Sequence, residues 1–236
     1  MPSDQSTWQN DITLVSPSRG RPARYKNMLD SARRNAARPF YAYLYLDSDD
    51  PTKNEYPQSD ETLTRIEGPP VRSAKALYSL IEQVKTPFFM IAADDTEFMT
   101  QRWDRLLIKS MPADQMAIVS AYTSFKNSDG HFLASMKWHR MLELFPKDAF
   151  VHFGPDGWAL DVAKRAGRFI QRKDVIIDHH HFKNRKAEYD ATYQLARSGN
   201  DSTMAQQYLD RHVDVRERHA QMIKEEIARC DGKAAA

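Results

Sequence analysis

Short apolar runs broken by Pro, Gly and acidic stretches dominate the first hundred residues. Ile12-Thr13-Leu14-Val15 is rich in β formers, and Ser16-Pro17-Ser18-Arg19-Gly20-Arg21-Pro22 after it reads as a loop. Tyr25, Met28, Leu29, Ala32 and Ala36 recur at helical spacing, which predicts a helix over 23–37. A second strand is expected over 40–46, ended by Asp47-Ser48-Asp49-Asp50-Pro51, and a third over 63–66. Ala74, Leu77, Tyr78 and Ile81 predict a helix over 74–84. Phe88-Phe89-Met90-Ile91-Ala92-Ala93 is continuously apolar, as a strand buried on both faces must be, and runs straight into Asp94-Asp95-Thr96-Glu97.

Strands alternating with helices predict an α/β fold with a mainly parallel, Rossmann-like sheet flanked by helices. Ligands of such sheets sit outside the carboxyl ends of the strands. The loops 16–22, 47–51 and 94–97 all follow strands, so all three are expected along one edge. Further strands are expected over 117–121 and 175–177. A hairpin turn is expected at Asn127-Ser128-Asp129-Gly130, and a helix over 158–166 after Gly154-Pro155-Asp156-Gly157. Strand formers thin out near Lys186, and 204–229 reads as one long charged helix. The expected organisation is a main domain over 1–185 with a C-terminal helical extension, 186–236, packed on it.

Composition narrows the class. Of 236 residues, 41% are hydrophobic and 28% charged, an ordinary globular mixture. The longest apolar run, 88–93, is far short of the ~20 residues that span a bilayer. Residues 1–10 are polar, without the apolar core of a signal peptide. The single cysteine, Cys230, excludes an internal disulfide and a Cys-based zinc finger. The expectation is a protein of the cytoplasm. Thirty-four Lys and Arg against 32 Asp and Glu leave a net charge of +2, which excludes a generic polycation. The distribution is uneven. Seven bases and one acid fall in 18–38, eight bases and two acids in 163–186, and one base and six acids in 46–61. Two basic segments can face a polyanion such as DNA; they can equally be solvated surface.

Several residues have chemistry worth placing. Asp94 and Asp95 end a buried strand, where two carboxylates need compensation. A divalent ion such as Mg²⁺ or Mn²⁺ supplies it; capping of a following helix near Trp103 is the alternative. In Asp178-His179-His180-His181, strand alternation puts His179 and His181 on one face and His180 on the other. They suit a metal beside carboxylates, or form a solvated strand end. Asp156 is a general base or a turn residue. Trp158 stacks on a sugar or base, or packs in the core. Arg19, Arg21, Arg72 and Lys75 are phosphate contacts or solvated cations. Asp47 and Asp49 bind a base or ribose, or make a tight turn.

In order and spacing, these motifs resemble the GT-A glycosyltransferases, specifically the family 2-like inverting enzymes, over roughly 11–195. The stretch from Ser16 through Pro17, Ser18, Arg19 and Arg21 to Pro22 resembles the nucleotide-contacting opening of that fold. Asp47 and Asp49 fall where the family holds the nucleoside. Ala92-Ala93-Asp94-Asp95-Thr96-Glu97-Phe98 is similar to its metal-binding acidic motif, with Thr96 in place of the usual last Asp. The resemblance then implies Asp95 as the direct metal ligand and Asp94 as a ribose or outer contact. Asp178-His179-His180-His181-Phe182, Lys186-Ala187 and Asp190-Ala191-Thr192-Tyr193 are similar to an end motif of small glycosyltransferases encoded by phages and some bacteria. By that likeness His181, or else His179, completes the metal site. Gly154-Pro155-Asp156-Gly157-Trp158 resembles the acceptor-side motif, with Asp156 as base.

The resemblance implies metal-dependent sugar transfer, with inversion, from a UDP- or GDP-type nucleotide sugar. The acceptor hydroxyl is carried by a hydroxylated pyrimidine of phage DNA, held by Trp158 or Trp138, or by a saccharide or lipid-linked acceptor. A nucleotidyltransferase is disfavoured by the lack of a Gly-rich N-terminal signature. A non-catalytic nucleotide- or nucleic-acid-binding module is the remaining competitor.

Overall fold

The computed structural model describes residues 11–123, 130–197 and 199–234. One eight-stranded sheet runs through it: β1 Ile12–Ser18, β2 Tyr41–Asp47, β3 Leu63–Gly68, β4 Phe88–Ile91, β5 Thr96–Phe98, β6 Ile118–Thr123, β7 Phe132–Ser135 and β8 Phe169–His179. Their spatial order is β3-β2-β1-β4-β7-β6-β8-β5. The β1–β2, β1–β4, β2–β3 and β6–β8 pairs are parallel; β7 and β5 run against their neighbours.

The apolar runs are continuous because helices cover both faces. Val15, Tyr45, Phe89, Ile118 and Phe132 point to one face, under α2 Ser73–Ile81, α4 Met136–Leu142, α5 Pro155–Ala166 and the C-terminal helices. Their neighbours Leu14, Leu44, Met90, Val119 and Leu133 point to the other, under α1 Pro22–Asn35 and α3 Trp103–Ser110. Among the described residues no helix is long and apolar enough to cross a membrane.

Four elements differ from the sequence expectation. Strand β8 is eleven residues long rather than three. Its pairing with β6 jumps from Ala121↔Arg172 to Tyr122↔Ile176, so 173–175 bulge out. That bulge is why its polar middle hides the strand. The short strand β5 and the β7–α4 unit carry too little pattern to be read from sequence. The hairpin turn expected at 127–130 lies, except for Gly130, outside the described residues. The single helix expected over 204–229 is two, α7 Asp201–Arg211 and α8 Val213–Ala234. Arg216 sits at the break. It donates to the carbonyls of Leu209 and His212, pairs with Asp161 at 2.5 Å and lies 5.3 Å from the Trp158 ring centre. These contacts pull α8 onto α5 and turn the chain at His212.

Candidate active site

The carboxyl ends of β1 and β2 and the β4–β5 connection meet, as expected from the strand–loop order. Ser18, the last residue of β1, donates to Asp94 Oδ2 at 2.6 Å. Gly20 turns the chain with φ of 69°, and its amide donates to Asp50 Oδ2 at 2.8 Å. Pro22 then opens α1, where its missing N–H costs nothing. On the far side, the Thr96↔His179 pairing of β5 with β8 puts His179 against Asp95. His179 Nε2 stands 3.1 Å from Asp95 Oδ1.

Asp94 and Asp95 are each 6% exposed. Neither caps α3, whose N-cap is Arg102; the capping alternative is excluded. They are compensated by an inward cation. Arg21 Nη1 lies 3.1 Å from Asp94 Oδ1 and 3.5 Å from Asp95 Oδ2. Nε and Nη2 of the same guanidinium grip Asp190 at 2.9 and 2.8 Å. Its plane lies 4.1 Å from the Tyr193 ring centre, and the Tyr193 hydroxyl donates to Asp95 Oδ2 at 2.5 Å. Burial pushes the Asp94 carboxyl up, only partly opposed by Arg21. Burial acts the same way on Asp95, but His179, Tyr193 and Arg21 outweigh it and hold that group well below the usual carboxylate range. Asp95 is therefore the anionic member of the pair.

These groups line a cavity of about 370 Å³ with Pro17, Ser18, Arg19, Arg21, Asp47, Arg72, His131, His152, Asp156 and His181. Asp47 accepts from Arg19 at 2.9 Å and from the Val71 amide at 3.0 Å. Asp49 pairs with Arg19 but is half exposed, outside the lining. Asp156, in the first turn of α5, faces Gly130, where a Cβ would stand 3.3 Å from Asp156 Oδ2. Gly154 begins that helix at φ of 107°, and a side chain there would meet the Phe150 ring at 2.4 Å. The helix α6 Ala191–Arg197 roofs the cavity: Thr192 donates to the Arg19 carbonyl, and Arg72 to that of Leu195.

His179 and His181 both line the cavity, while His180 turns away towards Asp178 and Glu97, as strand alternation requires. The neighbour of Asp95 is His179, not the favoured His181. His181 Nδ1 accepts from the Lys183 amide, which leaves the proton of the neutral ring on Nε2. Burial, then His179, pushes His181 down to about 4.

Other predicted site residues are engaged elsewhere or within the fold. Of the two readings of Trp158, core packing is the one that holds: it is 1% exposed and packs on Phe150, Tyr208 and His219, and Trp138 is equally buried. Lys75 points out of the cavity towards Asp148, 3.8 Å away, because it follows the cavity-lining Ser73 and Ala74 around the helix. Arg21, expected on phosphate, is engaged by Asp94 and Asp190. The basic segments are largely neutralised where they lie. Arg19, Arg24, Lys26, Arg33, Arg165, Arg168, Arg172 and Lys186 all have carboxylate partners. The charge runs therefore lend a polyanionic acceptor no support. A larger groove between Lys85, Lys137, Arg140 and Glu226 contains none of the cavity's residues.

Sequence reasoning gave no role to Asp190, Tyr193, His131 or the Ser73–His152 pair, whose Oγ and Nδ1 are 2.6 Å apart. Asp190 and Tyr193 stand in the Asp190-Ala191-Thr192-Tyr193 motif, which was their only signal. His131, isolated after a Gly, had none.

Among the described residues no three His, Cys, Asp or Glu side chains are gathered tightly enough to enclose an ion as placed. Asp95 and His179 do fit as two ligands. Their 3.1 Å separation is that of adjacent corners of an octahedral site with bonds of about 2.1 Å. An anionic oxygen beside an imidazole also suits Mn²⁺.

No family model and no curated protein sequence matches the chain. Solved structures do. A mannosyltransferase from Pyrobaculum calidifontis, PcManGT, in complex with GDP-Man and Mn²⁺, is 13% identical at a TM-score of 0.59, over 97% of this chain and 81% of that one. S. aureus TarS 1-349 is 10% identical at 0.55, over 92% and 70%. The same protein with UDP is 9% identical at 0.57, over 86% and 72%. At these identities the likeness establishes the fold, which is GT-A: a mainly parallel sheet between helices, with a helical C-terminus.

Proposed function

We propose that the protein is a glycosyltransferase. It moves a sugar from a UDP- or GDP-type nucleotide sugar to an acceptor hydroxyl, with inversion and with the help of Mn²⁺ or Mg²⁺. The observation that carries this reading is the convergence of Ser18, Asp47, Asp94, Asp95, His179 and Asp156 on one cavity at the carboxyl edge of a GT-A sheet.

Placement supports the following roles. Asp47 and Ser18 lie where β2 and β1 end and hold the nucleoside; Asp94, braced by Ser18, faces the ribose. Asp95 and His179 would hold the ion. A bound divalent ion supplies charge neutralisation to the departing diphosphate. Arg72 at the rim adds fixed positive charge there. Asp156 approaches from α5, across the cavity, and takes the proton of the acceptor hydroxyl as its oxygen attacks the anomeric carbon. The bond from that carbon to the diphosphate oxygen breaks, and the diphosphate leaves with the electron pair. The roof formed by α6 excludes water, which would otherwise be the acceptor.

The test is thermal shift with UDP, GDP and their sugars, with and without Mn²⁺, followed by transfer assays on saccharides, lipid-linked saccharides and DNA carrying hydroxymethyl pyrimidines. Stabilisation by a nucleoside diphosphate that deepens with Mn²⁺ is expected. Stabilisation by DNA alone would instead identify a binding module.

A further inference from the structure

Ser73 and His152 both line the cavity, and the roles above leave them unused. The segment carrying His152 is held from two directions. The Val151 carbonyl accepts from the Ala74 amide at 3.1 Å, which docks it on α2. The Asp201 carboxylate accepts from the amides of His152 and Phe153 at 3.0 and 3.1 Å. The ring is held as well, because Ser73 Oγ and His152 Nδ1 are 2.6 Å apart. The other acceptor near that hydroxyl, the His152 carbonyl, is 3.5 Å away, too far for a sound O–H bond. The Ser73 proton therefore goes to Nδ1, and the neutral ring carries its own proton on Nε2. Burial pushes His152 below the ordinary histidine range, and Asp201 opposes this only in part, so the ring is neutral near pH 7. Nε2 has no hydrogen-bond partner among the described residues, and it is not sealed off.

Placement narrows what this N–H can meet. Ser73 is two residues after Val71, whose amide donates to Asp47 on the nucleoside side. His152 is four residues before Asp156, on the side of the attacking hydroxyl. The pair thus stands between the two ends of the cavity. The part of a nucleotide sugar that lies between its diphosphate and an attacking hydroxyl is the sugar itself.

We propose that His152 reads the transferred sugar: its Nε2–H donates to a hydroxyl of that unit, and Ser73 is the positioning residue that fixes the ring. The inference rests on the nucleotide-sugar reading above and names how that site tells one sugar from another. A neutral N–H suits an uncharged hydroxyl oxygen, whereas a diphosphate calls for a cation such as Arg72. Because backbone and ring are both fixed in advance, little ordering is needed on binding. A sugar that places a hydroxyl at Nε2 is then favoured over an epimer or deoxy analogue that leaves the N–H unpaired.

The test is calorimetric titration, with Mg²⁺ present, of UDP, GDP and the nucleotide sugar that the wild type binds best. His152→Ala should weaken the nucleotide sugar by about tenfold and leave the matching diphosphate within about twofold. His152→Gln should recover part of the loss, since its amide N–H reaches close to the place of Nε2–H. Ser73→Ala should give a smaller loss, again for the nucleotide sugar alone. Unchanged nucleotide-sugar affinity in a folded His152→Ala protein, or an equal loss for the diphosphate, would overturn the proposal. Nitrogen-15 NMR of the wild-type histidines does not depend on how His152→Ala folds. The imidazole signal absent from His152→Gln should move with the nucleotide sugar and not with the diphosphate; movement with both alike, or with neither, overturns it. A wild type that binds no nucleotide sugar removes the functional reading and this inference together. Binding that ignores His152 removes this inference alone.

Discussion

Asp95 Oδ1 and His179 Nε2 stand 3.1 Å apart, joining the connection that follows β4 to the end of β8. That contact closes one corner of the cavity. It brings together an anion and an imidazole that the fold otherwise has no reason to bury side by side.

Removing either partner should abolish chemistry more than folding. Asp95→Asn and His179→Ala are expected to lower the transfer rate by about 100-fold or more, the scale on which loss of transition-state charge stabilisation is felt. The loss should not be recovered by raising the donor concentration. Initial rates at saturating donor, with circular dichroism as the folding control, check this.

Arg21 is the fixed counter-ion of the acidic pair, so its loss should be costly to the fold. Arg21→Met leaves Asp94, Asp95 and Asp190 without their shared cation. The expected destabilisation is about 3–5 kcal/mol, read from urea denaturation. Arg21→Lys should recover part of this, because a lysine keeps the charge but cannot grip Asp190 with two parallel bonds.

Tyr193→Phe removes one hydrogen bond to the anionic Asp95. A loss of about 1.5–3 kcal/mol is expected, with no change in secondary structure. The same variant should bind Mn²⁺ at least as tightly as the wild type, since a competitor for Asp95 Oδ2 is gone. Paired urea and calorimetric titrations report both.

Trp158 tests position directly. Trp158→Phe should keep nucleotide affinity within about twofold, whereas Trp158→Ala should cost about 3–5 kcal/mol of stability through the cavity it leaves. A selective loss of nucleotide or acceptor binding in a stable Trp158→Phe protein would return this residue to the site.

Burial, then the neighbouring His179, pushes His131 from its ordinary 6.5 down to about 3. Between those values the unfolded chain binds a proton that the folded chain does not. His131 thus removes stability as pH falls through this window and has no effect above about 6.5. In metal-free buffer, the wild type should lose stability relative to His131→Asn by about 1.4 kcal/mol per pH unit below 6.5. Urea midpoints at several pH values, compared between the two proteins, measure that slope.

The sheet was legible because its strands are buried on two faces, so runs such as 88–93 stand out. The acidic pair was legible because two carboxylates at the end of such a run demand a partner. What the sequence could not supply was the partner's identity. Arg21 looks like a loop cation, and only the return of the chain at Asp190 and Tyr193 makes it an internal counter-ion. Trp158 follows Asp156 closely enough in sequence to suggest substrate stacking as well as core packing, and helical geometry sends the two side chains to different places. His131 is a lone residue that meets the His179 ring at the end of β8 only because the sheet brings distant strands together.

Activation of a nucleotide sugar in this cavity is measured most directly by release of UDP or GDP from a panel of nucleotide sugars, with and without Mn²⁺, by the wild type, Asp95→Asn and Asp156→Asn. Metal-dependent release from at least one donor by the wild type, lost in Asp95→Asn, is the predicted result; Asp156→Asn should retain donor binding and lose transfer. No release and no binding of any nucleotide sugar, with metal present and the protein folded, would contradict it.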